Sequence, residues 1–186
     1  MDDNNEELTH SSFWSNLFKS PAGKVDLEKA LRAMPPFRNL KKREISLLYG
    51  IIHDRSYLAD EFIFMQGDPG LGLYIIREGE IVIQRKTENG FVIHLADFKK
   101  GDFFGEMAMV DGEKRSASAI AKTDAKISVI FKPDLDEFID TFPKIGIKIL
   151  LGIAEIMAVR LRSLNEDYIS ILTSQPQAEE SRLKLN

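Results

Sequence analysis

Residues 101–121 read GDFFGEMAMVDGEKRSASAIA, and two opposite charges stand out in them: Glu106 and, nine positions later, Arg115. Around them sit Gly101, Gly105, Ala108, Gly112, Ser116, Ala117, Ser118 and Ala119, residues with almost no side chain. A carboxylate and a guanidinium in such company admit two chemistries. They can pair with each other across a tight turn, or they can hold two ends of a ligand in the space that the small residues clear. In the second case Arg115 supplies a planar, permanently charged fork suited to phosphate oxygens, and Ser116 adds a hydroxyl and a backbone N–H. Glu106 cannot hold phosphate but accepts strongly from a sugar hydroxyl. Gly105 lets a ligand approach the backbone closely, and a short helical turn over Met107–Val110 would offer unpaired N–H groups at its start. The ligand so described is a compact anion with a ribose hydroxyl beside it.

The elements that must position these residues are read from the apolar period. From about Arg55, short runs appear at Tyr57–Leu58, Phe62–Met65, Leu73–Ile76, Ile81–Ile83, Phe91–Leu95, Ser118–Ala121 and Ile127–Phe131. Between them lie turn signals: Gly67-Asp68-Pro69-Gly70, Glu78-Gly79-Glu80, Glu88-Asn89-Gly90 and Lys100-Gly101-Asp102. The spacing predicts a mainly β fold, an eight-stranded jelly-roll barrel over 55–132. Glu106 and Arg115 then lie in a long connection between the fifth strand and the last pair. In Phe91–Ala96 the alternation places Phe91, Ile93 and Leu95 on one face and Val92, His94 and Ala96 on the other, so His94 is expected to face outward.

Helices flank the barrel. An N-terminal extension over 1–36 carries FWSNLF, with Phe13, Trp14, Leu17 and Phe18 on one face as a packing or docking segment, and a short helix near 26–31 stopped by Pro35-Pro36. A second helix is expected over Lys41–Ile52. After Lys132-Pro133 the period becomes helical again, with a short helix over 133–141 and a long one over 143–172. In the long one Ile147, Leu150, Ala154, Met157, Leu161, Leu164, Tyr168 and Ile171 alternate at spacings of three and four, a heptad seam. A second stripe, Ile149, Ile153 and Ile156, would face the barrel, leaving the seam for a second copy of the chain. Residues 173–186 read as a disordered polar tail.

Composition bounds the function. Of 186 residues, 44% are hydrophobic and 29% charged, with a net charge of −4, which gives no general attraction to nucleic acid or an anionic membrane. The acidic, polar N-terminus and the lack of a membrane-length apolar run point to a cytoplasmic protein. The chain has no cysteine, which excludes disulfides and thiol catalysis. Its three histidines, His10, His53 and His94, are far apart, so a histidine-rich metal centre is not expected. No nucleophile–base pair stands out, so no enzyme activity, catalytic residue, metal or cofactor is expected.

Phe104-Gly105-Glu106-Met107-Ala108-Met109 and Arg115-Ser116-Ala117 resemble the phosphate-binding cassette of the cyclic nucleotide-binding domain family. The family pattern is F-G-E-(apolar)-A-(apolar), a short loop, then R-(S/A/T)-A with arginine nine residues after glutamate. The similarity is to the effector domain of the catabolite activator protein type, without the DNA-binding domain, and extends more weakly over 37–172. It implies that Glu106 accepts the ribose 2′-hydroxyl and that Arg115 pairs with the cyclic phosphate. Ser116 and the amides near Gly105, Glu106 and Ala108 would complete the anion cradle, with Met107 and Ala117 as further ligand-binding residues. Lys114 departs from the pattern, where many members have proline. Ser116 implies cyclic AMP rather than cyclic GMP, and Asn165 on the long helix falls where the family caps the base, with Leu164 as an apolar lid. The expectation is a cyclic nucleotide receptor that signals by moving its long helix toward a dimer mate or a protein effector. The alternatives left open are a scaffold barrel with a vestigial pocket and a standalone relative of a transcription regulator.

Overall fold

The computed structural model describes residues 27–174; the expectations for FWSNLF and for the tail beyond Ser174 lie outside that range. Two short helices open it, α1 (Leu27–Ala33) and α2 (Lys42–Leu48), and the predicted second helix ends early in a 3-10 turn at Tyr49–Ile51. Eight strands follow: β1 (Ile52–Tyr57), β2 (Phe62–Phe64), β3 (Gly72–Glu78), β4 (Glu80–Lys86), β5 (Val92–Lys99), β6 (Phe103–Phe104), β7 (Ser118–Ala121) and β8 (Ala125–Phe131). A single turn of helix, α3 (Ala108–Asp111), stands between β6 and β7. The chain continues in α4 (Lys132–Thr141) and α5 (Pro143–Ser174).

The strands form two antiparallel four-stranded sheets, ordered β1-β8-β3-β6 and β2-β7-β4-β5. This is the mainly β jelly roll that the strand spacing predicts. Ile75, Ile81, Ile127, Val129, Ala119 and Ala121 are all buried, and in β3 and β8 burial runs through consecutive residues, Leu73–Ile76 and Ile127–Ile130. Periodicity misses two strands: β1, which starts at Ile52 where a helix is expected and meets the expected run only at Tyr57, and β6. Two residues show no period, and Phe103 and Phe104 form a strand only because β3 offers Ile75 and Tyr74 as partners.

In β5 simple alternation fails midway. Ile83 pairs with Ala96 but Gln84 pairs with His94, so Leu95 is an extra residue, a β-bulge. His94 stays on the outer face, opposite Gln84, as expected. Ala96, expected to share that face, is instead turned inward and buried, in phase with Phe98.

α5 begins with proline, tolerated in a first turn because its missing N–H has no partner there. The molecule divides within this helix into two compact units, one ending at Ile153 and one starting at Ala154. In the first unit, Ile145, Ile149 and Ile153 are buried, and so are Leu31, Met34, Phe37, Ile45, Leu48, Leu135 and Phe138. A side chain at Gly152 would strike the Pro35 carbonyl oxygen, and one at Gly146 would come within 2.7 Å of Ile139. Glycine at these points is what lets α5 approach its neighbours. Lys148 of α5 donates to both carboxylate oxygens of Glu44 at 2.7 and 2.8 Å. The same Glu44 accepts the Lys41 N–H at 2.6 Å and caps α2. In the second unit, Leu161, Leu164, Tyr168 and Ile171 of the seam are exposed.

Candidate ligand-binding site

The connection from β6 to β7 is built on backbone, and a second loop holds it. The N–H of Arg115 donates to Asp68 O at 2.8 Å, and the N–H of Gly67 donates to Arg115 O at 2.9 Å. Between these bonds Pro69 bridges Lys114 in antiparallel fashion. The turn Gly67-Asp68-Pro69-Gly70 thus clamps the loop that carries Arg115. Gly70 lies so close that an added Cβ would sit 2.5 Å from the Ala108 Cβ. The small residues at 70 and 108 exist for this approach. The bridge uses the N–H of Arg115, not that of Lys114, so position 114 would take a proline, which has no N–H, as readily as the lysine found here.

Gly105 has φ +83°, a conformation that side chains rarely adopt. A Cβ there would also meet Gly72 O at 2.8 Å and Arg115 Nη1 at 2.9 Å. The next turn is α3, one residue later than the sequence predicts: Met109 N donates to Glu106 O at 3.1 Å, and Gly112 closes it with φ +65°.

Arg115 is 7% exposed and Glu106 is 1% exposed. The guanidinium donates through Nη2 to Gly72 O at 3.0 Å and through Nη1 to Gly105 O at 3.3 Å. Among the described residues no ion pair joins it to Glu106, so the plain salt bridge is not how this site is held. Its Nε–H is buried and has no acceptor among the described residues. The guanidinium also lies over the Phe64 ring, 4.2 Å from the centroid, and 5.4 Å from that of Tyr74. Burial pushes the Arg115 pKa below the ordinary arginine value, opposed by Tyr74 and by the negative charges of Glu106 and Asp68. The group remains a cation at any physiological pH.

Of the residues expected in the site, Gly105, Glu106, Met107, Ala108, Arg115, Ser116 and Ala117 lie along this one loop of the first unit. Met107 and Ser116 are exposed, and Ala108 and Ala117 are buried. Asn165 lies in the second unit on the exposed side of α5. The sequence reading missed Gly72, whose carbonyl receives Arg115, and Phe64 and Tyr74, whose rings flank it. Nothing in linear spacing ties residues 64, 72 and 74 to residue 115. Among the described residues, no group of three or more histidines and carboxylates could hold a metal ion, and no helix is long and apolar enough to cross a membrane.

A second concavity of about 440 Å³ opens between the ends of β1, β3 and β8, lined by Ser56, Tyr57, Leu58, Glu78, Asp124, Ala125 and Lys126. Its cation and one of its anions answer each other: Lys126 Nζ lies 3.0 Å from Glu78, and both side chains are more than half exposed.

Comparison with known proteins adds four findings. Residues 54–142 match the model of the cyclic nucleotide-binding domain. The cyclic AMP receptor protein of Thermus thermophilus is 31% identical over 157 residues, 83% of this chain and 71% of that protein. The cAMP-dependent protein kinase regulatory subunit of Aspergillus niger is 34% identical over 101 residues, 54% of this chain but only 24% of the subunit. Among solved structures, a cyclic nucleotide-binding domain from Methylobacillus flagellatus superposes with a TM-score of 0.67 at 26% identity, covering 81% of this chain and 83% of that one.

Proposed function

We propose, from the premise that the chain belongs to the cyclic nucleotide-binding domain family, that it is a receptor for cyclic AMP rather than an enzyme. One observation carries the reading. Arg115 is a buried cation whose fork is fixed by two carbonyls while its Nε–H has no acceptor among the described residues. A buried charge and a spare donor are costly unless an anion completes them. A cyclic phosphate does so, and glycine at 105 lets the backbone pack directly against Gly72 O and Arg115 Nη1.

In this reading Arg115 pairs with the phosphate and Ser116 adds its hydroxyl. The backbone at Gly105, Met107 and Ala108 finishes the cradle, and Ala117 keeps the floor small. Glu106 accepts from the ribose 2′-hydroxyl. A hydrogen bond to a charged group contributes about 1.5–3 kcal/mol, and micromolar affinity requires about 8 kcal/mol. Three or four such contacts with base stacking reach that range after association costs. The related receptor protein from Thermus thermophilus is named for cyclic AMP, and the kinase regulatory subunit for dependence on it.

The test is calorimetry and thermal shift with cyclic AMP, cyclic GMP and 5′-AMP. Cyclic AMP should stabilise the protein by mass action, ahead of cyclic GMP, and Arg115→Ala should weaken binding by about 30-fold or more, equivalent to the loss of one charge-assisted contact. No shift with either cyclic nucleotide would leave the vestigial-pocket scaffold.

The output of this cytoplasmic receptor is carried by α5. Its seam residues Ile147, Leu150, Leu161, Leu164, Tyr168 and Ile171 are exposed at heptad spacing, the pattern that a second helix covers in a coiled coil. A homodimer through this seam, listening to the ligand and addressing a protein effector, is the mechanism that we put forward. Ligand can act on it only by binding its two arrangements with different affinity. Leu161→Glu with Tyr168→Glu should convert a sedimenting dimer to a monomer. A wild type that sediments as a monomer with and without cyclic AMP removes the dimer.

A further inference from the structure

We propose that Phe64 is a positioning residue for the anion site: its ring face sets the plane of the Arg115 guanidinium and thereby the direction in which the remaining donors point. The inference rests on the proposed binding of a cyclic phosphate at Arg115. It assigns a role to a residue fifty-one positions upstream of the cassette arginine.

A guanidinium has to be fixed in two ways, by its plane and by its rotation within that plane. The carbonyls of Gly72 and Gly105 take one N–H from each terminal nitrogen, at 3.0 and 3.3 Å, and so fix the rotation. Neither oxygen fixes the plane, because hydrogen bonds to a carbonyl tolerate a broad range of approach. The Phe64 ring does, with its centroid 4.2 Å from Arg115 Cζ, well inside the range of a cation over an aromatic face. Tyr74 at 5.4 Å is farther and acts as a second wall.

Phe64 is itself held. Its ring is tilted against Tyr74 at 5.4 Å and against Phe104 at 5.9 Å, and Tyr74 and Phe104 stack on each other at 5.2 Å and 8°. The register of β2 against β7 shifts between Phe62 and Phe64, so that Phe64 pairs with Ala119, a residue with almost no side chain. The shift takes Phe64 out of phase with Phe62, which is 49% exposed. Gly105 packs against the guanidinium, where a Cβ would sit 2.9 Å from Nη1. Ring, carbonyls and glycine leave Nε–H as the buried donor still to be answered. Preorganised donors bind better than donors that must be ordered on binding.

The experiment is calorimetry with cyclic AMP on Phe64 variants whose folded state is checked by melting temperature. Phe64→Leu should weaken binding about five- to tenfold, while Phe64→Tyr and Phe64→Trp, which keep a ring face, should stay within about twofold of wild type. Phe64→Leu made in an Arg115→Met background should add less than about twofold, because the coupled partner is already gone. If Phe64→Leu disturbs folding, 4-fluoro-, 3,5-difluoro- and 3,4,5-trifluorophenylalanine at position 64 take its place. Each fluorine withdraws charge from the ring face, so affinity should fall in that order at constant melting temperature. Equal affinity across the fluorinated series, or a Phe64→Leu loss unchanged in the Arg115→Met background, overturns the inference. A wild type that binds no cyclic nucleotide instead fails the functional reading on which it stands.

Discussion

Two charged regions of the barrel, the concavity at β1, β3 and β8 and the cassette between β6 and β7, differ in almost every respect that matters. The concavity at Tyr57, Glu78 and Lys126 has volume, about 440 Å³, but its Lys126–Glu78 pair is exposed and mutually satisfied. The cassette has Arg115 buried, held by backbone carbonyls and an aromatic face, with an Nε–H that no described residue accepts. An exposed ion pair is worth little and asks for nothing. A buried cation with a spare donor is expensive, and a fold that retains it has a reason to do so. The charges at the concavity answer each other, whereas the cassette keeps a buried donor that no described residue answers.

Three substitutions test that contrast, taken from the largest expected effect. Gly105→Ala forces a side chain into a positive-φ position and against Gly72 O and Arg115 Nη1. It should cost about 1–3 kcal/mol of stability and at least tenfold in cyclic AMP affinity, seen as a lower melting temperature and a weakened titration. A variant as stable and as tight as wild type breaks the claim that the loop is shaped around the guanidinium. Glu106→Gln comes next. Replacing a charged acceptor by a neutral one loses about 1 kcal/mol of hydrogen bonding, so affinity should fall about fivefold by calorimetry, with a smaller loss for the 2′-deoxy cyclic nucleotide, which lacks the hydroxyl. Equal losses for both ligands detach Glu106 from the ribose.

Lys126→Ala is the smallest. At the exposed pair it should leave cyclic nucleotide binding unchanged and move the melting temperature by no more than about 2–3 °C. The hydrogen bond from Lys126 holds the Glu78 carboxyl below its ordinary range. Its folded pKa is depressed, so any contribution is present above the unfolded carboxylate pKa and is lost as pH falls through the lower folded value. The small difference between wild type and Lys126→Ala should thus begin to fade as pH falls below about 4, and should shrink in high salt. A large loss of binding here would erase the distinction between the two regions.

The sequence was legible where local period or motif suffices. Six of the strands announce themselves as short apolar runs between turn residues, and Gly105, Glu106 and Arg115 stand at a spacing that few other purposes require. It was not legible where pairing decides. Phe103 and Phe104 become a strand only against β3, and Ala96 turns inward only because Leu95 bulges. The turn at Gly67–Gly70 reads as punctuation, yet it clamps Arg115 by two backbone bonds.

The sequence by itself determined a mainly β barrel, a loop with one acid and one arginine among small residues, and a long helix with an apolar seam. Each is a property of neighbouring residues: side-chain alternation, backbone freedom at glycine, and the 3.6-residue turn. Only the tertiary structure decided what Arg115 touches. Its partners Phe64, Gly72 and Tyr74 lie 51, 43 and 41 positions away in the chain. Their meeting depends on a register shift in β2 and on sheet pairing, neither of which any local pattern encodes. The charge was written in the chain, and its burial and direction came from the fold.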